Sequence, residues 1–483
     1  MSKGKKLAAL ILVLVLMIGG YLLVRNMGET DDGAAQDNAA SAVSVAQSDA
    51  ALASAITVGG EDGYRIEKSS DGVWRDPQNE SLELDQTAAD SAAALLSNIS
   101  ASYALDEGHA QEKLADYGLD SPSLTLTLGL SDGKEQTYLV GMQNPVTQEY
   151  YFLPEGGDTV YLVDKSYYTS FCDGVVSVAQ VETLPALSEN GLTDISLTWR
   201  EDSGKDDVHF VYYPDGTNEI YNFSEFWFYD SPQYGLMSMD TATFNKDYVP
   251  VITGISFDHP VAVANEETLR EYGFDSPLVN IRYSYADASS GESGTVSILV
   301  SDACEQENQR YVVLEGGQYI YRMGQSSIMN PCDVLPETYV TPIALPIDLS
   351  TIESVDVVLP DKTYTVDYVM TKSAEETGTP TFDYYCNGEL LDEDSAYNWR
   401  VFFNNLRVEY ADKISFDLGE FDDSSPVIRI VVHRNTETFQ TLTLSFYKYD
   451  ASFYAADFDG LRVQLFDKNF VTDWVQSVTG VLD

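Results

Sequence analysis

The chain repeats itself, and that repetition constrains its fold more than any other feature. Leu114-Ala-Asp-Tyr-Gly-Leu-Asp-Ser-Pro122 and Leu269-Arg-Glu-Tyr-Gly-Phe-Asp-Ser-Pro277 agree at six of nine positions, at an offset of 155. Gly419-Glu-Phe-Asp-Asp-Ser-Ser-Pro426 is a weaker third copy. The flanks repeat too. Upstream lie paired apolar residues: Leu95, Leu96 and Ile99; Val251, Ile252 and Ile255; Phe402, Phe403 and Leu406. Downstream, each proline opens an extended run, the first alternating as Leu124, Leu126 and Leu128 against Thr125 and Thr127. Three further strand-like runs follow each one. Internal similarity at such a period marks units that bury faces against their neighbours.

Three units are drawn: 56–185, 190–345 and 350–483. Within each, the pattern predicts a hairpin, a helix, a four-strand meander and a short closing helix. Asp85 is a candidate cap, with Ala88, Ala92, Leu95, Leu96 and Ile99 on one helical face. Trp399, Phe402, Phe403 and Leu406 give the same face in the third unit. Pro250 falls where the second unit's helix should run and interrupts it. Asp71-Gly72, Asp215-Gly216 and Asn387-Gly388 read as hairpin turns. Strand runs with segregated helices predict an α+β class, with three repeated units of antiparallel meander sheets and a few short helices. The repeated Tyr-Gly-(Leu/Phe)-Asp-Ser-Pro reads as a structural turn. Gly118 and Gly273 are expected at positive φ, ending short helices begun near Gln111 and Glu266. Asp164, Lys165 and Thr169 match Asp467, Lys468 and Thr472 at a constant offset of 303.

The amino terminus places the chain. Lys3, Lys5 and Lys6 precede an unbroken apolar run of 18 residues, Leu7–Val24. That length approaches a bilayer span and exceeds the roughly 7–15-residue core of a cleaved signal. Residues 1–25 are therefore expected to be a cytoplasmic tip and one transmembrane helix. The bulk is expected outside the cell membrane. Residues 26–55, rich in Ala, Ser, Asp, Gln and Gly, read as a flexible linker.

Charge and motifs exclude several functions. Lys and Arg number 27 against 77 Asp and Glu, a net charge of −50. Such a surface repels nucleic acid and anionic headgroups. No phosphate loop, dinucleotide fingerprint, zinc motif or nucleophile elbow occurs. Catalytic, cofactor-binding and metal-binding residues are therefore assigned to none. His109, His209, His259 and His433 share no spacing, and Asp457-Phe-Asp-Gly460 reads as a hairpin turn. Cys304 and Cys332 are close enough in sequence to pair in an oxidising compartment. Cys172 and Cys386 read as packed hydrophobes.

One stretch, Leu114 to Phe171, resembles the bacterial "domain of unknown function 4340" family. The features that carry it are Leu-x-x-Tyr-Gly-Leu-Asp-x-Pro, Asp132-Gly133-Lys134, Tyr138-Leu139-Val140-Gly141, Asn144-Pro145-Val146-Thr147 and Val160-Tyr161-Leu162-Val163-Asp164. The resemblance implies an exported, single-span protein. Members encoded beside ABC-transporter components imply a transporter component as partner. It carries over no catalytic residue. The expected function is a membrane-tethered extracytoplasmic interaction module without catalytic activity, whose partner is a membrane protein. The alternative is a glycan- or peptide-binding surface protein, suggested by 32 tyrosines and many acids. A hydrolase rests only on the abundance of carboxylates.

Overall fold

The computed structural model describes residues 43–483 except 106–107, 189–190, 214–225, 303, 305, 374–375, 377 and 379. The expected transmembrane helix, Leu7–Val24, and residues 26–42 of the expected linker lie outside the described residues, as does Asp215-Gly216. No described helix is long and apolar enough to cross a membrane.

In chain order unit one contributes β1 (Val43–Gln47), β2 (Ala53–Gly59), β3 (Tyr64–Lys68), β4 (Trp74–Arg75), β5 (Asn98–Leu105), β6 (Leu124–Leu130), β7 (Glu135–Gln143), β8 (Tyr150–Pro154) and β9 (Val160–Val163). Unit two contributes β10 (Leu192–Trp199), β11 (Val208–Tyr212), β12 (Trp227–Ser231), β13 (Gly235–Ser238), β14 (Pro260–Val263), β15 (Val279–Asp287), β16 (Glu292–Val300), β17 (Gln309–Leu314) and β18 (Tyr319–Gly324). Unit three contributes β19 (Ile352–Val358), β20 (Thr363–Lys372), β21 (Thr381–Cys386), β22 (Glu389–Leu390), β23 (Lys413–Ile414), β24 (Ile428–Arg434), β25 (Thr441–Lys448), β26 (Phe453–Phe458) and β27 (Leu461–Asp467).

Each unit forms one nine-stranded sheet, and eight strands take the same spatial order in all three: β4-β3-β2-β6-β7-β8-β9-β5, β12-β11-β10-β15-β16-β17-β18-β14 and β21-β20-β19-β24-β25-β26-β27-β23. Every pairing is antiparallel, and the first hairpin strand always joins the first meander strand, as in Ile56↔Leu128, Ile195↔Tyr283 and Val355↔Val432. The alternation in β6 is physical: Leu124, Leu126, Leu128 and Leu130 are buried while Thr125 and Thr127 are half-buried.

The first helices follow. Asp85, Asp240 and Asp392 each cap one, accepting from Thr87 and Ala88 N–H, from Thr243 N–H and from Ser395 N–H. Unit three buries Trp399, Phe402, Phe403 and Leu406, the expected face. In unit one Ala92, Leu96 and Ile99 of the expected face are buried and Ala88 and Leu95 pack half-buried against the same core, while Ala89, Ala93 and Ser97 are buried beside them and Ile99 already lies in β5. Unit two breaks into Thr241–Asp247 and Val249–Thr253, with Pro250 in the first turn of the second piece, where its missing N–H costs no helical bond.

Two features escaped the sequence. A strand follows each first helix and returns to the far edge of the meander: β5, β14 and β23. The linker reading of 26–55 also fails for 43–55. There β1 pairs with β5, and β2 lies between β6 and β3 in its sheet. Unit three uses the same device: Ala344 N–H bonds Glu409 O and Ala411 N–H bonds Pro342 O, at 2.8 and 2.7 Å. The side chains of 43–55 are mostly small, yet Val43, Val45 and Ala46 pack against the core and Ala53 and Ala55 are buried, so ladder and packing together hold this leading segment.

The repeated turns pack on the outer sheet faces. Leu119 joins Leu153 and Val160, Phe274 joins Val313 and Ile320, and Leu418 joins Ala455 and Leu465. Gly118, Gly273 and Gly419 have φ of 67°, 87° and 66°. In unit one the turn before the glycine is 3-10, Leu114–Tyr117, and in unit two it is the α-helix Glu266–Glu271 capped by Asn265. Asp164 and Asp467 both accept from the N–H two residues on, at Ser166 and Asn469, and open the closing helices Ser166–Thr169 and Lys468–Leu482.

A β-carbon on Gly118 meets Met142 N at 3.1 Å, whereas one on Gly273 finds only Ser301 Cβ at 3.7 Å. Gly118→Ala and Gly273→Ala should each cost about 1–2 kcal/mol from the left-handed backbone. Gly118→Ala should cost more. Urea midpoints check both; equal or negligible shifts contradict the turn's role.

Candidate functional site

The units are joined in series by one repeated device. In units one and two the segment leaving the closing helix returns to the cap of that unit's first helix. Asp85 N–H bonds Val178 O at 2.9 Å and Asp240 N–H bonds Tyr339 O at 2.8 Å, beside the bridges Leu84↔Ala179 and Met239↔Val340. The next unit then holds this segment from its last meander strand. Tyr321 Oη accepts from Glu182 N–H at 2.9 Å and donates to Glu182 Oε2 at 3.0 Å. Gln464, likewise three residues before its strand's end, donates from Nε2 to Thr341 O and Ile343 O, both at 3.1 Å. Apolar cores cross the junctions: Val463 joins the core shared by units one and two, and Phe228 joins that of unit three.

Beside the first junction lies a groove of about 1170 Å³. Unit one supplies the β2–β3 turn around Asp62–Arg65, part of its first helix, and the segment Thr169–Val178. Unit two supplies Asp258–Val263, which contains β14, together with Tyr272, Tyr311 and Arg322. Asp62, Asp76, Asp173, Asp258 and Glu271 line it against Arg65, Arg322 and His259. Arg65 is already engaged, with Nε 2.6 Å from Glu67 and a terminal nitrogen 2.7 Å from Thr57 Oγ1. Arg322 makes no ion pair among the described residues. Tyr64 Oη and Ser177 Oγ, on residues of the same wall, are buried without a hydrogen-bond partner among the described residues. Such groups are costly unless something completes them. Burial, aided by the neighbouring Cys172 thiol, pushes the Tyr64 phenol far up, so it stays a donor.

Cys172 also lines the groove. Burial, then the Asp173 carboxylate, pushes its thiol up to about 11. It is free, as are Cys304, Cys332 and Cys386, so Cys304 and Cys332 are not bridged. The four histidines do not converge. His209 sits 2.7 Å from Asp194 and 3.2 Å from Asp230, His433 3.0 Å from Asp356, and His109 3.8 Å from Glu112. His259, 2.9 Å from Asp258, alone lies at the groove. Asp457–Gly460 is the β26–β27 turn, with Gly460 N–H bonded to Asp457 Oδ1 at 2.7 Å. Among the described residues no three His, Cys, Asp or Glu side chains are grouped to hold a metal.

Comparison with known families places part of this region. Residues 74–207 match the family described as "Domain of unknown function (DUF4340)". The match begins in β4, contains the stretch Leu114–Phe171, crosses the first junction and ends between β10 and β11. It therefore includes both Asp173 and the segment that Tyr321 clasps. No curated protein and no solved structure matches the chain.

Because its thiolate is disfavoured, Cys172 should alkylate slowly with iodoacetamide near about pH 8 and accelerate as pH approaches the raised value. Peptide mass spectrometry reads the rate. Rapid modification at neutral pH contradicts the proposed environment.

Proposed function

We propose that this chain is a membrane-tethered extracytoplasmic interaction module that acts by binding, as an accessory to an ABC-type transporter. The observation that carries the reading is the groove at the first junction. Between two firmly joined units it combines open acidic side chains, a guanidinium with no ion pair among the described residues and, on unit one's wall, two buried hydroxyls without a partner among them. Binding sites concentrate where rigid elements meet and a few polar groups converge. The Lys-flanked run Leu7–Val24 supplies the tether, and the net charge of −50 keeps the module off anionic surfaces. The alternative, a glycan- or peptide-binding surface protein, draws on the same groove, whose wall carries Tyr64, Tyr272 and Tyr311.

Crosslinking the full-length protein in intact cells tests this. Recovery of a membrane transport component is the expected result. Recovery of wall glycan or secreted peptide alone, with full function retained after deletion of residues 1–25, replaces this reading with the alternative.

A further inference from the structure

We propose that the groove between units one and two accepts an extended, basic segment of the membrane partner, laid along β14 as an added strand. This rests on the reading of the chain as an interaction module. The strand β14 ends its sheet: β18 pairs one side, and no described strand pairs the other. All of it lines the groove. Unpaired strand edges are templates for a further strand. The same molecule shows the fold accepting one, because β1 extends sheet one beyond β5, the counterpart of β14.

The site favours a short strand with spaced basic side chains. Pro260 offers no N–H, and Val263 O already accepts from Thr268 Oγ1 at 2.6 Å, so few backbone bonds are open. Side-chain charge must then carry much of the affinity. The carboxylates of Asp62, Asp76, Asp173, Asp258 and Glu271 outnumber the guanidiniums, and Arg65 is held by Glu67. Arg322 repels an unbroken run of cations and so favours alternation. Tyr272 and Tyr311, edge to face with centroids 4.6 Å apart, give apolar area for aliphatic stems.

The probe is a fluorescein-labelled peptide of about eight alternating valines and lysines, a usual strand length, titrated by anisotropy into full-length protein in detergent. Saturable binding is expected. Binding should weaken about tenfold or more when glutamate replaces lysine, when the peptide backbone is N-methylated, and in an Asp173→Asn/Asp258→Asn variant. Both aspartates are exposed, so the variant should keep the wild-type urea midpoint. Absence of saturable binding, equal binding of the glutamate peptide, or indifference to N-methylation overturns the proposal. Crosslinking separates the two readings. A variant deaf to the peptide that still captures the partner at wild-type yield overturns the groove and leaves the module. Peptide binding with no membrane partner captured upholds the groove and removes the module.

Discussion

The architecture depends on the return of the chain to its own first helix. The backbone N–H groups of Asp85 and Asp240 each bond a carbonyl of the segment leaving the unit's closing helix, while their side chains cap the helix that follows. One residue thus satisfies orphan helical donors and fixes the exit point of the unit. Once the exit is fixed, the next unit has one place to start, and Tyr321 or Gln464 of that unit fastens it there. The groove beside the first junction is a by-product of this geometry. Its two walls belong to different units, joined by part-buried hydrogen bonds at Glu182, and Gln318 and Tyr319 add part-buried and exposed ones to Ser81 and Glu83.

The closing helices differ in length between the units. Unit three ends in a helix of 15 residues, Lys468–Leu482, against the four of Ser166–Thr169 and the five of Gln325–Met329. It buries Val471, Trp474, Val478 and Leu482, and Asp483 holds Lys362 and Tyr364. At the other end the junction turn changes chemistry. Glu315-Gly-Gly-Gln-Tyr-Ile-Tyr321 of unit two corresponds to Glu155-Gly-Gly-Asp-Thr-Val-Tyr161 of unit one. Gln318 and Tyr319, which reach into unit one, are replaced by Asp158 and Thr159, which offer no aromatic hydroxyl and add a charge.

The repeat, its meanders, the cap at Asp85 and the left-handed Gly118 and Gly273 were legible in the sequence because each is a local consequence of residue type. The post-helix strands were not: β23 has two residues, β14 opens on proline, and β5, eight residues long, begins within the apolar face read as helix. The leading strand β1 was hidden by the Ala, Ser and Asp around it, the composition of a linker, although Val43, Val45 and Ala46 pack against the core and the strand pairs with Asn98–Ala101. The groove was illegible for a topological reason. Asp62, Asp173, His259 and Arg322 lie far apart in the chain, and only the return of each unit to its cap brings them to one place.

The two junctions are built alike, yet the spaces beside them differ in how their charged groups are engaged. At the second, a space of about 530 Å³ is lined by Tyr234, Phe416, Phe421 and Arg462. There the guanidinium is spent internally: Arg462 bonds Asp457 at 2.6 Å and Asp423 at 2.5 Å, and lies near the rings of Phe421 and Tyr447. Tyr234 Oη donates to Phe416 O at 2.6 Å, closing the crevice across the junction. At the first junction, Arg322 has no ion pair among the described residues and two hydroxyls lack partners. Evolution of a packed interface removes such unsatisfied groups, since each costs about 1–3 kcal/mol. Among the described residues, such hydroxyls occur in the wall of the first groove and none in the lining of the second, which is why the proposed recognition is placed at the first junction.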